Sequence, residues 1–524
     1  MEPDPKTSAI RGAFGTIAAH DTGDRRGLRA RLLTLLAIIG PGLIVMVGDN
    51  DAGGVSTYAQ AGQNFGYSLL WTLPLLIPVL IVNQEMVARL GAVTGVGHGR
   101  LIRERISRRW GLVSISSILL LNFLIIITEF IGISLSMSYF GVSPTISVPV
   151  AGVTLFAVTA TGSFRRWERF MMLFVATNVL VFPLLIHAHA SMGAIAHGLV
   201  VPGIRGGATS ASVLLIISII GTTVAPWQLF FQESNIVDKK ISPRWLNYER
   251  ADTIIGSVIV VAVATILVAT TAAGLAPHGG VNSYVNALSV ARGLQHFVGP
   301  DAGAFFALIL LNASVVGAAT VTLASSYALG DLSVRFAQGL DHPLREAKSF
   351  YGAFAGLLVL AGAVTLLPGA PLGVIVLAVQ ALSGLMLPST SIMVLVLAND
   401  RGALGPWVNA RWLNAVAVII VAALTVLSVV MMISTLFSGA PVVTLLVVLS
   451  AVAALALVIG LPIALRRAPP RPEGDRLEWR MPRLALLEAP PMTRARRWLL
   501  RANGIYLAAA GILLLVRVIQ LAST

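Results

Sequence analysis

Long apolar runs alternate with short polar segments along almost the whole chain. A helix that crosses a bilayer needs about 20 mostly apolar residues. Twelve stretches qualify, at about 33–60, 68–92, 113–138, 144–162, 168–190, 211–234, 251–275, 301–328, 349–367, 372–398, 412–436 and 442–465. A thirteenth, at about 498–516, contains Arg501 and is followed by Arg517, so it either spans or lies in the interface. The pattern predicts an all-α polytopic membrane protein.

Composition points the same way. The 524 residues are 56% hydrophobic and only 11% charged, with a mean hydropathy of +0.84. A soluble fold of this size needs a charged surface that such a composition cannot supply. The formal charge of +14 would suit nucleic acid. However, Lys and Arg fall in short clusters between apolar runs, the arrangement of loops facing anionic lipid. Membrane lipid is an expected partner and nucleic acid is not; no obligate protein partner is evident. The absence of cysteine removes disulfides, thiolate ligands and cysteine nucleophiles together. The stretch from Met1 to Arg31 is polar and lacks the apolar core of a signal peptide.

Loop charge orients the chain. With the N-terminus inside, the inner loops carry Arg100, Arg103, Arg105, Arg108 and Arg109, then Arg165 and Arg166, then Lys239, Lys240 and Arg244. Arg335, Arg345, Lys348 and Arg401 follow on the same side, and the opposite loops hold only Arg205 and Arg292. Lys and Arg mark the cytoplasmic side, so a plasma (inner) membrane protein with a cytoplasmic N-terminus is expected.

The chemistry lies in polar residues where lipid should be, since a carboxylate at mid-membrane costs roughly 2.5–3.5 kcal/mol on insertion scales. The first span reads Gly40-Pro41-Gly42, then Gly48-Asp49-Asn50-Asp51-Ala52-Gly53-Gly54 near its middle. The glycines weaken the helix and let carbonyls turn toward a cavity, which is tolerated at membrane depth only where the backbone faces protein or water. The sixth span has a matching interruption, Gly221-Thr222-Thr223-Val224-Ala225-Pro226-Trp227-Gln228. Pro226 removes a helical donor and frees carbonyls near Thr222. Broken helices in segments one and six predict an inverted repeat of five plus five helices with a substrate site at the midplane.

The expected organisation is an N-terminal tail at 1–32, repeats at 33–190 and 211–398, and helices 11 and 12 at 412–465. A cytoplasmic linker at 467–497, rich in Pro and Arg (Pro469, Pro470, Arg471, Pro472), precedes a hydrophobic segment at 498–524. Asp51 has no Lys or Arg within either broken span and reads as a cation ligand. Asp49 lies two positions away, on another face unless unwinding re-aims it. Glu129, in the third span, either lines an exit path or hydrogen-bonds internally. Gln380, in the tenth, is either a helix–helix hydrogen-bonding group or a ligand. Glu85 and Glu233 lie near span ends, where solvation is the simpler expectation.

At these residues the chain resembles the NRAMP divalent-metal transporters. Their first-span pattern, GPG, then DPGN, then QAG, aligns without gaps to Gly40-Pro41-Gly42, Asp51-Ala52-Gly53-Gly54 and Gln60-Ala61-Gly62. Their sixth-span pattern, a threonine-valine pair followed by Met-Pro-His-Asn, aligns to Thr223-Val224-Ala225-Pro226-Trp227-Gln228. Supporting matches run from Ala88 to Gly95, Arg165 to Arg169 and Arg411 to Ala415, so the resemblance covers about 33–436. It implies the five-plus-five (LeuT-like) fold of amino-acid and cation symporters. Asp51 is kept, but the family's asparagine ligand is Gly54 here, its methionine ligand is Ala225 and the following histidine is Trp227. The acid three residues before Glu129, linked in the family to proton movement, is Ile126. This pattern is similar to the NRAMP-related magnesium transporters, in which the thioether is missing and the site is wider.

Donor chemistry favours that branch independently. Thioether sulfur suits softer metals and adds nothing for Mg²⁺. The oxygen donors available are the Asp51 carboxylate and carbonyls near Thr222, with Asp49, Asn50 and Gln380 as further candidates. Gly54, Ala225, Trp227, Gln228 and Glu129 are expected to line the site. Mg²⁺ sheds water reluctantly and is held through one or two carboxylates with several waters retained, so a partly hydrated Mg²⁺, with Mn²⁺ also admitted, is the expected cargo. The eight histidines (His20, His98, His187, His189, His197, His278, His296, His342) all lie outside the first and sixth spans. With Ile126 and Trp227 at the family's proton positions, transport without proton coupling is expected. The rival readings are a proton-coupled Mn²⁺ or Fe²⁺ importer, an organic-cation or amino-acid symporter, and an NRAMP-like sensor without transport. No nucleotide motif, triad or metal-hydrolase spacing is present, so neither an enzyme nor a resident cofactor is expected.

Overall fold

The structure is a computed structural model that describes residues 9–18, 21, 23, 25–279, 283–332, 339–340, 342–437, 439–467, 472–477, 479–488, 490 and 493–523. Of the residues named above, His20, Arg335, Pro469, Pro470 and Arg471 lie outside the described residues. The chain opens with a two-stranded hairpin, β1 (Ile10–Arg11) and β2 (Thr16–Ile17), and a short helix α1 (Leu28–Ile38). The first repeat comprises α2 (Pro41–Gly48), α3 (Ala52–Phe65), α4 (Leu76–Thr94), α5 (His98–Arg105), α6 (Arg108–Tyr139), α7 (Pro144–Thr159), α8 (Phe164–Thr177) and α9 (Val181–His187). After α10 (Met192–Val200), the second comprises α11 (Ser210–Thr223), α12 (Pro226–Asp238), α13 (Leu246–Gly274), α14 (Ala287–Phe297), α15 (Pro300–Gly330), α16 (Lys348–Thr365) and α17 (Leu372–Leu397). Then come α18 (Arg401–Leu404), α19 (Arg411–Leu436), α20 (Val442–Arg467) and α21 (Arg494–Ser523).

Ten helical stretches among the described residues are long and apolar enough to cross a membrane. The fold class is the expected one, a helical bundle of five-plus-five type whose first and sixth spans are broken. The first span differs in its bounds: it runs from Pro41 through Phe65, not from about 33. Leu28–Ile38 bends away from Pro41–Gly48 by 56° at Gly40-Pro41, where proline at the first helical position sets the start of α2. The fourth stretch forms a helix of only 16 residues.

The interior is built by α6 packed along α15, by α13 against α2 and α3, and by α12 against α4. On the face carrying the N-terminus, polar groups tie these helices together. Asp252 of α13 accepts the N–H groups of Gly40, Gly42 and Leu43 at 3.0, 2.8 and 3.0 Å, capping α2 from another helix. Lys239 meets Glu168 at 2.6 Å, both fully buried, and also donates to the carbonyls of Ile38 and Ile39. The hairpin is fastened to the same place: Ala13 N–H donates to Glu168 and Arg169 Nε donates to the Ala13 carbonyl. The stretch after α20 also folds back, with Arg105 Nη1 donating to the Glu488 carbonyl and Trp407 Nε1 to that of Arg476. The last helix packs on α17 and α19.

Candidate cation site

Two helix breaks create the site. α2 stops because the chain turns extended at Asp51 (ψ −175°). The N–H groups of Asp49 and Asn50 bond back to the carbonyls of Met46 and Val47, tightening the last turn. Asp51 then caps α3: its Oδ1 accepts the Gly54 N–H at 2.7 Å, satisfying one of the helix's unpaired donors. In the sixth span, Val224 and Ala225 are extended (ψ 85° and 144°) and Pro226 begins α12. Proline has no N–H, so the Thr222 carbonyl, four residues earlier, loses its helical donor.

The structure brings Asp51, Gly54, Thr222, Gln380 and Glu129 together. Glu129 of α6 accepts the Ala52 N–H at 3.1 Å, and its carboxyl lies beside the Asp51 side chain, since a Cβ on Gly317 would meet both. Two carboxyls so placed cannot both ionise without a compensating charge. Gly317 of α15 permits the contact, since a Cβ there would fall 2.5 Å from Glu129 Oε2. The Gln380 amide fills the space over Gly53, where a Cβ would sit 1.6 Å from its Nε2. A Cβ on Gly54 would lie 3.0 Å from the Asp49 carbonyl oxygen and 3.4 Å from Thr222 Oγ1, so glycine at 54 lets these two oxygens approach the start of α3. Thr222 Oγ1 and Gln380 Nε2 are buried without hydrogen-bond partners among the described residues.

Asp49 lies on an adjoining side. It is fully buried, and neither of its oxygens has a partner in normal geometry, although the Gln228 amide of α12 lies beside it. Trp227 is fully buried, edge-on to Phe231, and Ala225 is buried in the bend between the half-helices. Asn50 turns its amide to α13, donating to the Val260 carbonyl at 3.3 Å. Among the described residues no ion pair involves Asp49, Asp51 or Glu129, and no cluster of three or more His, Cys, Asp or Glu side chains is arranged around one point. A cation here would be held by one or two carboxylates together with amide, hydroxyl and backbone oxygens.

Two expectations change. Glu233 is not solvated: it is fully buried and meets His98 Nδ1 at 2.7 Å. A histidine outside the sixth span thus touches that span through the bundle, a pairing that sequence distance conceals. Glu85 is bound to Arg89 at 3.1 Å and Arg250 at 2.7 Å and is a structural acid. Gln84, whose Nε2 donates to Gln228 Oε1 at 3.0 Å, and Tyr58, at 2.7 Å from Thr223 Oγ1, also adjoin the site. Both went unnoticed because a lone Gln or Tyr in an apolar run carries no spacing signal.

The fold is that of a multi-pass helical membrane protein with two broken helices. Residues 42–434 match the natural resistance-associated macrophage protein-like family, and the chain belongs to that family. Among curated relatives, a divalent metal cation transporter MntH of Ralstonia nicotianae is 28% identical over 408 residues, covering 73% of this chain and 87% of that one. An MntH of Bacillus subtilis is 26% identical over 447 residues, 82% of this chain and 97% of that one. Among solved structures, an Eremococcus coleocola manganese transporter bound to an aromatic bis-isothiourea compound superposes with a TM-score of 0.61 at 21% identity, covering 85% of this chain and 98% of that one.

Proposed function

We propose that this protein carries Mg²⁺, and Mn²⁺ as well, across the plasma membrane by alternating access without proton coupling, with Asp51 as the principal ligand. The observation that carries this reading is the donor set. Asp51, the freed carbonyl of Thr222, Thr222 Oγ1 and Gln380 lie about the two breaks, with the small residues Gly54 and Ala225 beside them, and among the described residues no sulfur or imidazole belongs to that donor set. Hard oxygen donors with room for retained water match Mg²⁺, which prefers octahedral oxygen at about 2.0–2.1 Å. Thr222, Gln380 and, with a change of rotamer, Asn50 complete the shell. The Arg-rich face with the N-terminus is cytoplasmic, so voltage drives influx; a divalent ion gains roughly 4.6 kcal/mol per 100 mV crossing the whole field.

A second reading, a proton-coupled Mn²⁺ or Fe²⁺ importer, is favoured by the Glu129–Asp51 contact, because an ion arriving at Asp51 displaces a shared proton. Coupling needs a path for that proton. Beyond Asp51, Glu129 reaches only the Ala52 N–H and Thr128 among the described residues, and Ile126 stands one turn away.

Purified full-length protein in liposomes, offered Mg²⁺, Mn²⁺ and Ca²⁺ with a pH dye trapped inside, tests both. The expected result is Mg²⁺ and Mn²⁺ influx with no internal acidification. Asp51→Ala is expected to reduce that influx by about 100-fold or more. Undiminished influx in the variant refutes the ligand assignment; acidification that tracks Mn²⁺ while Mg²⁺ is excluded establishes the second reading.

A further inference from the structure

The Asp49 carboxylate is the polar group that the Asp51 site does not absorb. It is fully buried, and both oxygens lack partners in normal geometry among the described residues. The Gln228 amide lies beside it, but its Nε2 is aimed at the Thr223 carbonyl at 3.5 Å. Thr223 gives its hydroxyl proton to the Ile219 carbonyl at 2.7 Å, so the Tyr58 hydroxyl, 2.7 Å from Thr223 Oγ1, must donate there. Gln84 donates to Gln228 and leaves its own Oε1 buried and unpartnered. Asp49 Oδ1, Asp49 Oδ2 and Gln84 Oε1 are acceptors without partners among the described residues. A hydrated cation presents the complement, a positive centre surrounded by O–H donors.

Position adds a second argument. Asp49 caps the C-terminus of α2, its N–H bonded back to the Met46 carbonyl at 3.3 Å. Asp51, past the break, belongs to α3. The two carboxylates are therefore carried by different half-helices. Asp49 faces α12 and, through Gln228, α4; α2 and α12 both run from the break to the N-terminal face.

We propose that Asp49 and the Gln84–Gln228 amide pair form a second divalent-cation position, on the N-terminal-face side of Asp51, through which the hydrated ion leaves the Asp51 site. This rests on the reading of Asp51 as the principal ligand. Because Asp49 moves with α2, any swing of that half-helix draws the second carboxylate away from the first and takes the ion with it. Asp51 governs binding at rest; Asp49 governs passage.

The test separates binding from turnover in the full-length protein. Mn²⁺ binding is measured by titration calorimetry in detergent, and Mn²⁺ uptake in liposomes made from the same preparation. Asp49→Asn, nearly isosteric, is expected to keep the Mn²⁺ Kd within about threefold of wild type while lowering maximal uptake about tenfold or more. Gln84→Met, which removes the orphaned acceptor while keeping volume, is expected to show the same signature at about threefold. Loss of binding in Asp49→Asn as complete as in Asp51→Asn overturns the proposal, since the two acids would then form one site. Normal maximal uptake in Asp49→Asn overturns it equally. If Asp51→Asn binds and transports Mn²⁺ normally, the principal-ligand reading fails first and the second position falls with it.

Discussion

The midplane and the N-terminal face each hold acids in the same low-dielectric bundle, but they treat them oppositely. At the N-terminal face Glu168 meets Lys239, Glu85 meets Arg89 and Arg250, Asp400 meets Arg105 at 2.7 Å, and Asp252 gathers three backbone N–H groups. At the midplane Asp49, Asp51 and Glu129 cluster with no base in reach. A buried charge is tolerated only when something compensates it. In the first region the compensating group is built into the protein, and the acids hold helices together. In the second it is left to come from solution, as a cation or a proton. Burial alone does not separate structural from functional acids here; the presence or absence of a resident base or a set of N–H donors does.

The largest expected effect tests the paired side of that contrast. Lys239→Met leaves Glu168 buried without its cation, a change that costs about 3–5 kcal/mol for buried pairs. It also strips donors from the ends of α1. Half-loss of monodisperse protein on heating is expected about 5–10 °C below wild type. Adding Glu168→Gln should recover roughly half of the loss, because the unpaired charge is what hurts most. Asp51→Asn and Asp49→Asn should leave thermal stability unchanged or raised, since neither orphans a base. If the Lys239 variant is as stable as wild type, or the midplane variants are the fragile ones, the contrast fails.

How much of this could be read from the chain follows from the range of each signal. The spans, the two breaks and Asp51 are local: apolar runs, Gly48 with Gly53-Gly54, and Pro226 announce themselves within a few residues. Thr222 follows from Pro226 and Gln380 from its polarity in an apolar span, but that they approach α3 is visible only in three dimensions, where Gly53 and Gly317 admit the Gln380 amide and the Glu129 carboxyl. The ties across the bundle carry no local trace. Glu168 and Lys239 lie 71 positions apart, His98 and Glu233 135. Residues 9–18 looked like a free tail because a two-residue strand is too short for a period, yet Ile10, Ala13 and Ile17 are buried.

A middle-sized effect sharpens the unpaired side. Ala225→Met places a thioether in the bend between α11 and α12, adding a soft donor to an oxygen set. Softer ions gain from sulfur and Mg²⁺ does not. In liposome competition assays the preference for Cd²⁺ over Mg²⁺ is expected to rise about tenfold, equivalent to about 1.4 kcal/mol. An unchanged ratio would mean that Ala225 does not face the ion, and the donor-set argument would lose its sixth-span half.

The smallest effect concerns an acid between the two classes. Asp331, just beyond the end of α15, is partly buried, and no ion pair to its carboxylate is found among the described residues. Its Oδ2 accepts the Gly99 N–H at 2.9 Å, while Arg103 binds its backbone carbonyl and not its carboxylate. Burial, with the nearby charge of Glu233 adding to it, pushes the Asp331 carboxyl up to about 7, against the pull of the Gly99 and Arg100 N–H groups and of His98. A raised carboxyl favours the folded state while protonated, and that contribution is lost as pH rises through about 7. Wild type should therefore lose thermal stability between about pH 5 and pH 8. Asp331→Asn, which cannot ionise, should match wild type at the acid end and exceed it by about 2 °C at the alkaline end. Everything but residue 331 is common to both proteins, so the difference between the two melting curves isolates it. A difference that stays constant with pH would place Asp331 with the fully compensated acids, and the division would then turn on backbone N–H groups as much as on resident bases.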